Sequence, residues 1–157
     1  MEPTATQTTP ESKKRLTLRL AREIFSKYRD DAGQLSMAHM YPYYHDNIHF
    51  KDSVQTIVGM KDFVAMGDRL LRRCEKGYRM EVHNAAQDGN IIFLHWTMTM
   101  RYSGTSEAAI DGTTILTLDE EGLIIDQRDH YDLWGDTFAV IPGLNRLYAW
   151  FLHKTMA

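Results

Sequence analysis

The chain is poor in the residues that staple or anchor a protein. It has one cysteine, Cys74, and four prolines in 157 residues. A lone thiol excludes an internal disulfide and a multi-cysteine zinc site. No run approaches the roughly 20 consecutive apolar residues of a membrane span. Positive charge is not in excess either: 18 Lys and Arg stand against 21 Asp and Glu, a net charge of −3. That balance speaks against a general nucleic-acid binder, which needs a basic face to neutralise phosphates. Phosphate-cradling glycine loops, a dinucleotide fingerprint and a Gly-x-Ser-x-Gly elbow are all missing. The expectation is a protein with no cofactor, no metal, no nucleic-acid partner and no membrane partner.

What is present is the make-up of a folded domain: 43% hydrophobic, 25% charged and 11% aromatic residues. A chain of this length buries about two thirds of its unfolded surface, enough for a core without staples. The first twelve residues lack the basic start and apolar stretch of a secretory signal. Residues 1–8 read as a flexible tail, residues 9–157 as one domain, and the cytoplasm as its setting.

Helical spacing comes first. Thr8, Pro10 and Glu11 have the form of a helix start. Leu16, Leu20, Ile24 and Tyr28 then recur at every fourth position, with Ala21 and Phe25 beside them. Asp30-Asp31-Ala32-Gly33 stops this helix, and a short second one over 34–41 ends near Pro42. Residues 57–74 place Met60, Phe63, Met66, Leu70 and Cys74 on one face; Lys61, Asp68, Arg69, Arg72 and Arg73 read as its solvated side. The tail, 143–155, again has helical spacing.

After Gly77 the period changes to two, and turn signals at Asp88-Gly89-Asn90, Ser103-Gly104 and Glu120-Glu121-Gly122 separate four strands. Residues 91–102 carry apolar residues on both alternating sets, as in a strand covered on both faces. Helices kept apart from an antiparallel meander give an α+β fold.

Strand parity then singles out two acids. On a short strand at 47–52, Ile48, Phe50 and Asp52 share a face. On the last strand, Leu123, Ile125, Gln127, Asp129 and Tyr131 do so. A carboxylate among apolar neighbours is poorly solvated, which raises its pKa and makes it a better base. The bland alternative is that Asp52 caps a turn and that Asp129 joins a surface network with Arg128 and His130. His95 shares a face with Phe93 and Thr97, as a pocket participant or as an ordinary hydrogen-bonded residue. Tyr41-Pro42-Tyr43-Tyr44 either lines a pocket mouth or packs the second helix onto the sheet.

Tyr44-His45-Asp46-Asn47-Ile48-His49-Phe50-Lys51-Asp52, Gly59, Phe63, Trp96-Thr97, Glu121-Gly122 and Arg128-Asp129-His130-Tyr131-Asp132 together resemble the SnoaL-like group of the nuclear transport factor 2 superfamily. Ketosteroid isomerase and limonene epoxide hydrolase belong to the same superfamily. The resemblance, over about residues 14–135, implies a curved antiparallel sheet wrapped by N-terminal helices into a cone with an apolar cavity. It also implies a homodimer through the outer sheet face. Asp52 falls where the isomerase has its catalytic base, Thr114 where that enzyme keeps an oxyanion-hole aspartate, and Tyr28 near its oxyanion tyrosine. Asp129 falls on one of the hydrolase's catalytic aspartates, while His95 and Thr97 replace that enzyme's companion arginine and aspartate.

Two functional readings follow. In one, a cofactor-free isomerase, cyclase, lyase-type hydratase or epoxide hydrolase acts on an apolar molecule. Asp52 is then the general base, and Asp129 and His95 are a second acid/base or orienting pair. Tyr28, Tyr44, Phe50 and Phe63 would touch the ligand from one side and Thr97, Thr114 and Tyr131 from the other. In the other reading the cone is a non-catalytic module that binds a ligand or a protein partner.

Overall fold

The computed structural model of the protein describes residues 12–74, 77–101, 107–137 and 143–156. The helix start expected at Thr8, the tail expected over 1–8 and the turn expected at Ser103-Gly104 all lie outside them. Within them the first helix is shorter than its apolar spacing suggests. Thr17 caps α1 (Leu18–Ser26), its hydroxyl accepting from the Leu20 N–H. Lys27 then turns extended, so Tyr28 reaches the interior from a loop rather than from a helix. The Asp30 carboxylate accepts from the Ala32 and Gln34 N–H groups and closes that loop.

The second helix is a 3-10 turn at Ala38–Tyr43, placed later than the expected 34–41. It contains Pro42, which such a short turn tolerates because it has no long hydrogen-bond ladder to break. It leads directly into β1 (Tyr44–Lys51), which starts three residues earlier than its parity signal. A three-residue strand, β2 (Thr56–Val58), folds back antiparallel on β1. It is too short to show alternation. Gly59, at φ +90°, then breaks the chain direction and starts α2 (Met60–Arg73). Strands β3 (Tyr78–Asp88), β4 (Ile91–Arg101), β5 (Glu107–Leu118) and β6 (Ile124–Tyr131) form the meander. A π-type turn (Leu133–Thr137) and α3 (Leu144–Met156) follow.

One six-stranded sheet results, in the order β2-β1-β6-β5-β4-β3. It is curved and unclosed, and β1 joins the meander as a parallel neighbour of β6. The fold is α+β. Helix α1 packs on β3 and α2 on β1, so the helices cover one face of the sheet. That inner face carries Ile92, Leu94, Trp96 and Met100 of β4 and Ile110, Thr114 and Leu116 of β5. The alternate set of β4 is only partly covered by the described residues: Phe93 is 43% exposed and Ile91, His95, Thr97 and Thr99 are half-buried. On α3, Trp150 and Phe151 are also exposed. No helix among the described residues is long and apolar enough to cross a membrane.

A bulge modifies the parity of β6. Leu118 pairs with Ile124 but Thr117 with Asp126, so Ile125 is an extra residue. Ile124 and Gln127 therefore both point inward while Ile125 is only half-buried. Beyond the bulge the expected face of Gln127, Asp129 and Tyr131 is kept, and it opens into a cavity.

Candidate active site

Between α1, α2 and the inner face of the sheet lies a cavity of about 260 Å³. Phe50, Phe63, Met66, Met80 and Met98 supply apolar wall, and Asp52, Tyr28, Tyr78, Gln127, Asp129 and Tyr131 supply polar groups. It is mostly apolar, with a few convergent polar side chains.

Asp129 is the most perturbed acid. Burial pushes its carboxyl up to about 6, against donation from Thr114 and Gln127, and the charge of Asp52 adds to the rise. The little surface Asp129 still exposes contributes to the cavity lining. Its partners are arranged as two converging relays. Trp96 Nε1 donates to Thr114 Oγ1 at 2.8 Å, and the Thr114 hydroxyl donates to Asp129 Oδ1 at 2.7 Å. From the other side the Tyr44 hydroxyl donates to Gln127 Oε1 at 2.6 Å, and Gln127 Nε2 donates to the same Oδ1 at 3.1 Å. Among the described residues Oδ2 takes only a longer hydrogen bond, at 3.3 Å, from Gln127 Nε2. The proton of a protonated Asp129 therefore belongs on Oδ2, because both strong donors occupy Oδ1.

Gly112 shapes this relay from below. It pairs with Trp96 across β4 and β5, and a Cβ there would overlap the indole ring. The bare glycine lets the ring lie across the strand and aim Nε1 at Thr114. Neither Gly112 nor the Trp96–Thr114 link carries a sequence signal, because a cross-strand register creates it.

Tyr28 and Tyr78 line the cavity with their rings 4.7 Å apart. Burial pushes both phenols well above the ordinary tyrosine range, and the charge of Asp129 adds to the rise. They stay neutral and can donate to a ligand oxygen. Tyr78 had no place among the sequence candidates.

Asp52 also lines the cavity, at the turn between β1 and β2. Its Oδ1 accepts from the Val54 and Gln55 N–H groups, both at 2.8 Å. This is the turn-capping role that its position suggested as the bland alternative. Among the described residues Oδ2 of Asp52 has no hydrogen-bond partner, so one oxygen can serve chemistry while the other fixes the turn.

Phe50, Phe63, Tyr28 and Tyr131 line the cavity. Tyr44 and Thr114 do not: both are fully buried behind it and act on Asp129 from there. His95 and Thr97 belong elsewhere. They point from the outer face of β4, where His95 Nε2 lies 3.2 Å from the Asp111 carboxylate and the Thr97 hydroxyl donates to Asp111 at 3.1 Å. His83 joins them through a 2.8 Å hydrogen bond with Thr97. The sheet separates this cluster from the cavity, so His95 cannot be an acid/base partner of Asp129 within one chain. Cys74 is fully buried packing.

The fold has solved counterparts. An LEH-like epoxide hydrolase of M. tuberculosis superposes with a TM-score of 0.60 at 16% identity, over 84% of this chain and 94% of that one. A protein of ketosteroid isomerase-like fold from Catenulispora acidiphila, in complex with trimethylamine, gives 0.59 at 16% identity, over 80% and 88%. An NTF2-like protein of unknown function from Exiguobacterium gives 0.58 at 16%, over 71% and 93%. At these identities the likeness is one of fold. No curated protein matches the sequence. The model of the SnoaL-like domain matches residues 27–127, most of the chain, and the protein belongs to that family.

Proposed function

We propose that the protein is a cofactor-free acid–base enzyme that acts on a small, largely apolar molecule in the cavity, with Asp129 as its proton-transfer group. The observation that carries this reading is the convergence of two buried donor chains on one oxygen of Asp129, which leaves the other oxygen for a proton. A carboxyl group poised near neutrality takes and returns protons efficiently. Asp52 is the second carboxylate of the site, suited to orient water or a substrate hydroxyl. The paired phenols of Tyr28 and Tyr78 would hold a carbonyl or developing oxyanion. Isomerisation, aldol-type cyclisation, dehydration and epoxide opening all use such a set. This assignment moves the principal base from Asp52 to Asp129. Epoxide hydrolysis in the M. tuberculosis relative is consistent with two carboxylates in such a cone.

The enzyme would work as a homodimer through the outer sheet face. The half-exposed Ile91 and Ile115 and the exposed Phe93 support that, since the chain's own helices leave them uncovered. The cytoplasm is its proposed setting, on the strength of its single, unbridged cysteine.

The test needs no knowledge of the natural substrate. 2-Tetralone, a compact apolar ketone, is incubated with the protein in deuterium oxide, and loss of its α-proton signals is followed by NMR. Wild type should accelerate exchange over buffer, and Asp129→Asn should lose about 100-fold or more of that acceleration. Acceleration that survives Asp129→Asn would refute the assignment. Binding of the ketone without any exchange would favour the ligand-binding module instead, with Asp129 held by its donors for structure alone.

A further inference from the structure

The polar side of α2 does not behave as one solvated face. Asp68 and Arg72 turn toward a separate shallow crevice that also holds Arg29 and Tyr41. Arg69 and Arg73, one helical turn apart, line the cavity of Asp129 instead, flanking Leu70 above Met66. Both arginines are exposed, as is Val54 across the opening, which places them at the mouth. Among the described residues neither guanidinium forms an ion pair or a hydrogen bond. The groups that shift Asp129 are burial, Thr114, Gln127 and Asp52, so neither arginine serves to neutralise that acid. The cavity therefore has an apolar middle, the Asp129 carboxyl within, and two cations without partners among the described residues at its entrance.

Resting on the small-molecule reading above, we propose that Arg69 and Arg73 are specificity residues, selecting a ligand with an apolar body and one carboxylate at its outer end. The body enters among Met66, Met98 and Phe50, and the carboxylate stays at the mouth within reach of the two guanidiniums. Arginine suits this task because its planar fork matches both oxygens of a carboxylate. Arg73, in the last turn of α2, also has a simpler use, since a cation there complements the helix dipole. That use would affect stability and not the choice of ligand.

The two roles separate in a binding experiment on the full chain. Calorimetric titration compares 2-naphthoate with 2-naphthalenemethanol, which share an apolar body and differ in charge. Wild type should bind the acid about ten-fold more tightly than the alcohol, with the advantage shrinking as salt rises. In the double variant Arg69→Gln/Arg73→Gln the advantage should vanish while the affinity for the alcohol stays unchanged, which also shows that the variant is folded. Equal affinities in wild type, or an advantage that survives the double variant, would overturn the proposal and leave the small-molecule reading standing. Failure of both probes to bind wild type would overturn that reading, and this proposal with it.

Discussion

Replacing Asp129 by asparagine should make the protein more stable at neutral and alkaline pH, and this gain should disappear in acid. The folded state raises the carboxyl from 3.8 to about 6, so between those values the native chain holds a proton that the unfolded chain has released. Stability therefore falls as pH rises through that window and is lowest, as far as this group is concerned, above pH 6. At 1.36 kcal/mol per unit the full difference is about 3 kcal/mol, and water in the cavity screens part of it, so a gain of about 1–3 kcal/mol is expected for Asp129→Asn. Asparagine keeps an acceptor oxygen for Thr114 and Gln127, so the hydrogen bonds to Oδ1 survive the change. Urea unfolding of both proteins, followed by tryptophan fluorescence at about pH 4 and about pH 8, cancels in the difference the titration of groups that do not interact with Asp129. A variant that is less stable at the higher pH, or whose difference from wild type does not change with pH, would refute the argument from burial.

Three further outcomes follow from the same geometry. Thr114→Val removes the acceptor of Trp96 and a donor to Asp129 at once, both buried. It should cost about 2–4 kcal/mol in denaturant unfolding and raise the Asp129 pKa further. Gly112→Val would drive a side chain into the Trp96 ring and should cost about 1–3 kcal/mol, with a shifted tryptophan emission spectrum as its signature. Phe93→Glu places a charge on the uncovered outer face and should leave the cavity intact; if that face joins two copies, sedimentation will show monomers where wild type sediments as a dimer.

Much of the fold is legible in the sequence because turns and alternation are local. Asp88-Gly89-Asn90 and Glu121-Gly122 mark their turns through conformational preference alone, and the period-two runs between them become β3 to β6. What the sequence hid has physical causes of several kinds. Strand β2 is too short for any period to emerge, although Asp52 at its turn was visible. The bulge at Ile125 adds one residue and changes the side on which everything upstream of it falls, which parity cannot anticipate. On β4, parity rightly groups Phe93, His95 and Thr97, but both alternating sets carry aromatic residues, so alternation leaves open which set faces inward. Trp96, Leu94 and Ile92 took that side, and His95 went to the other. Thr114 and Tyr44 were candidates for touching a ligand and instead hold Asp129 from behind. Arg69 and Arg73 were indistinguishable from Arg72 by charge pattern, since the mouth they line exists only once α2 lies on the sheet.

The relays from Trp96 and Tyr44 matter to function only through what they leave at Asp129. The most direct test is a carbon-13 NMR titration of the Asp129 carboxyl, assigned by comparison with Asp129→Asn. A pKa of about 6 is predicted. A value at or below 3.8, the ordinary carboxyl range, would contradict the central claim that this fold prepares Asp129 to exchange protons near neutral pH.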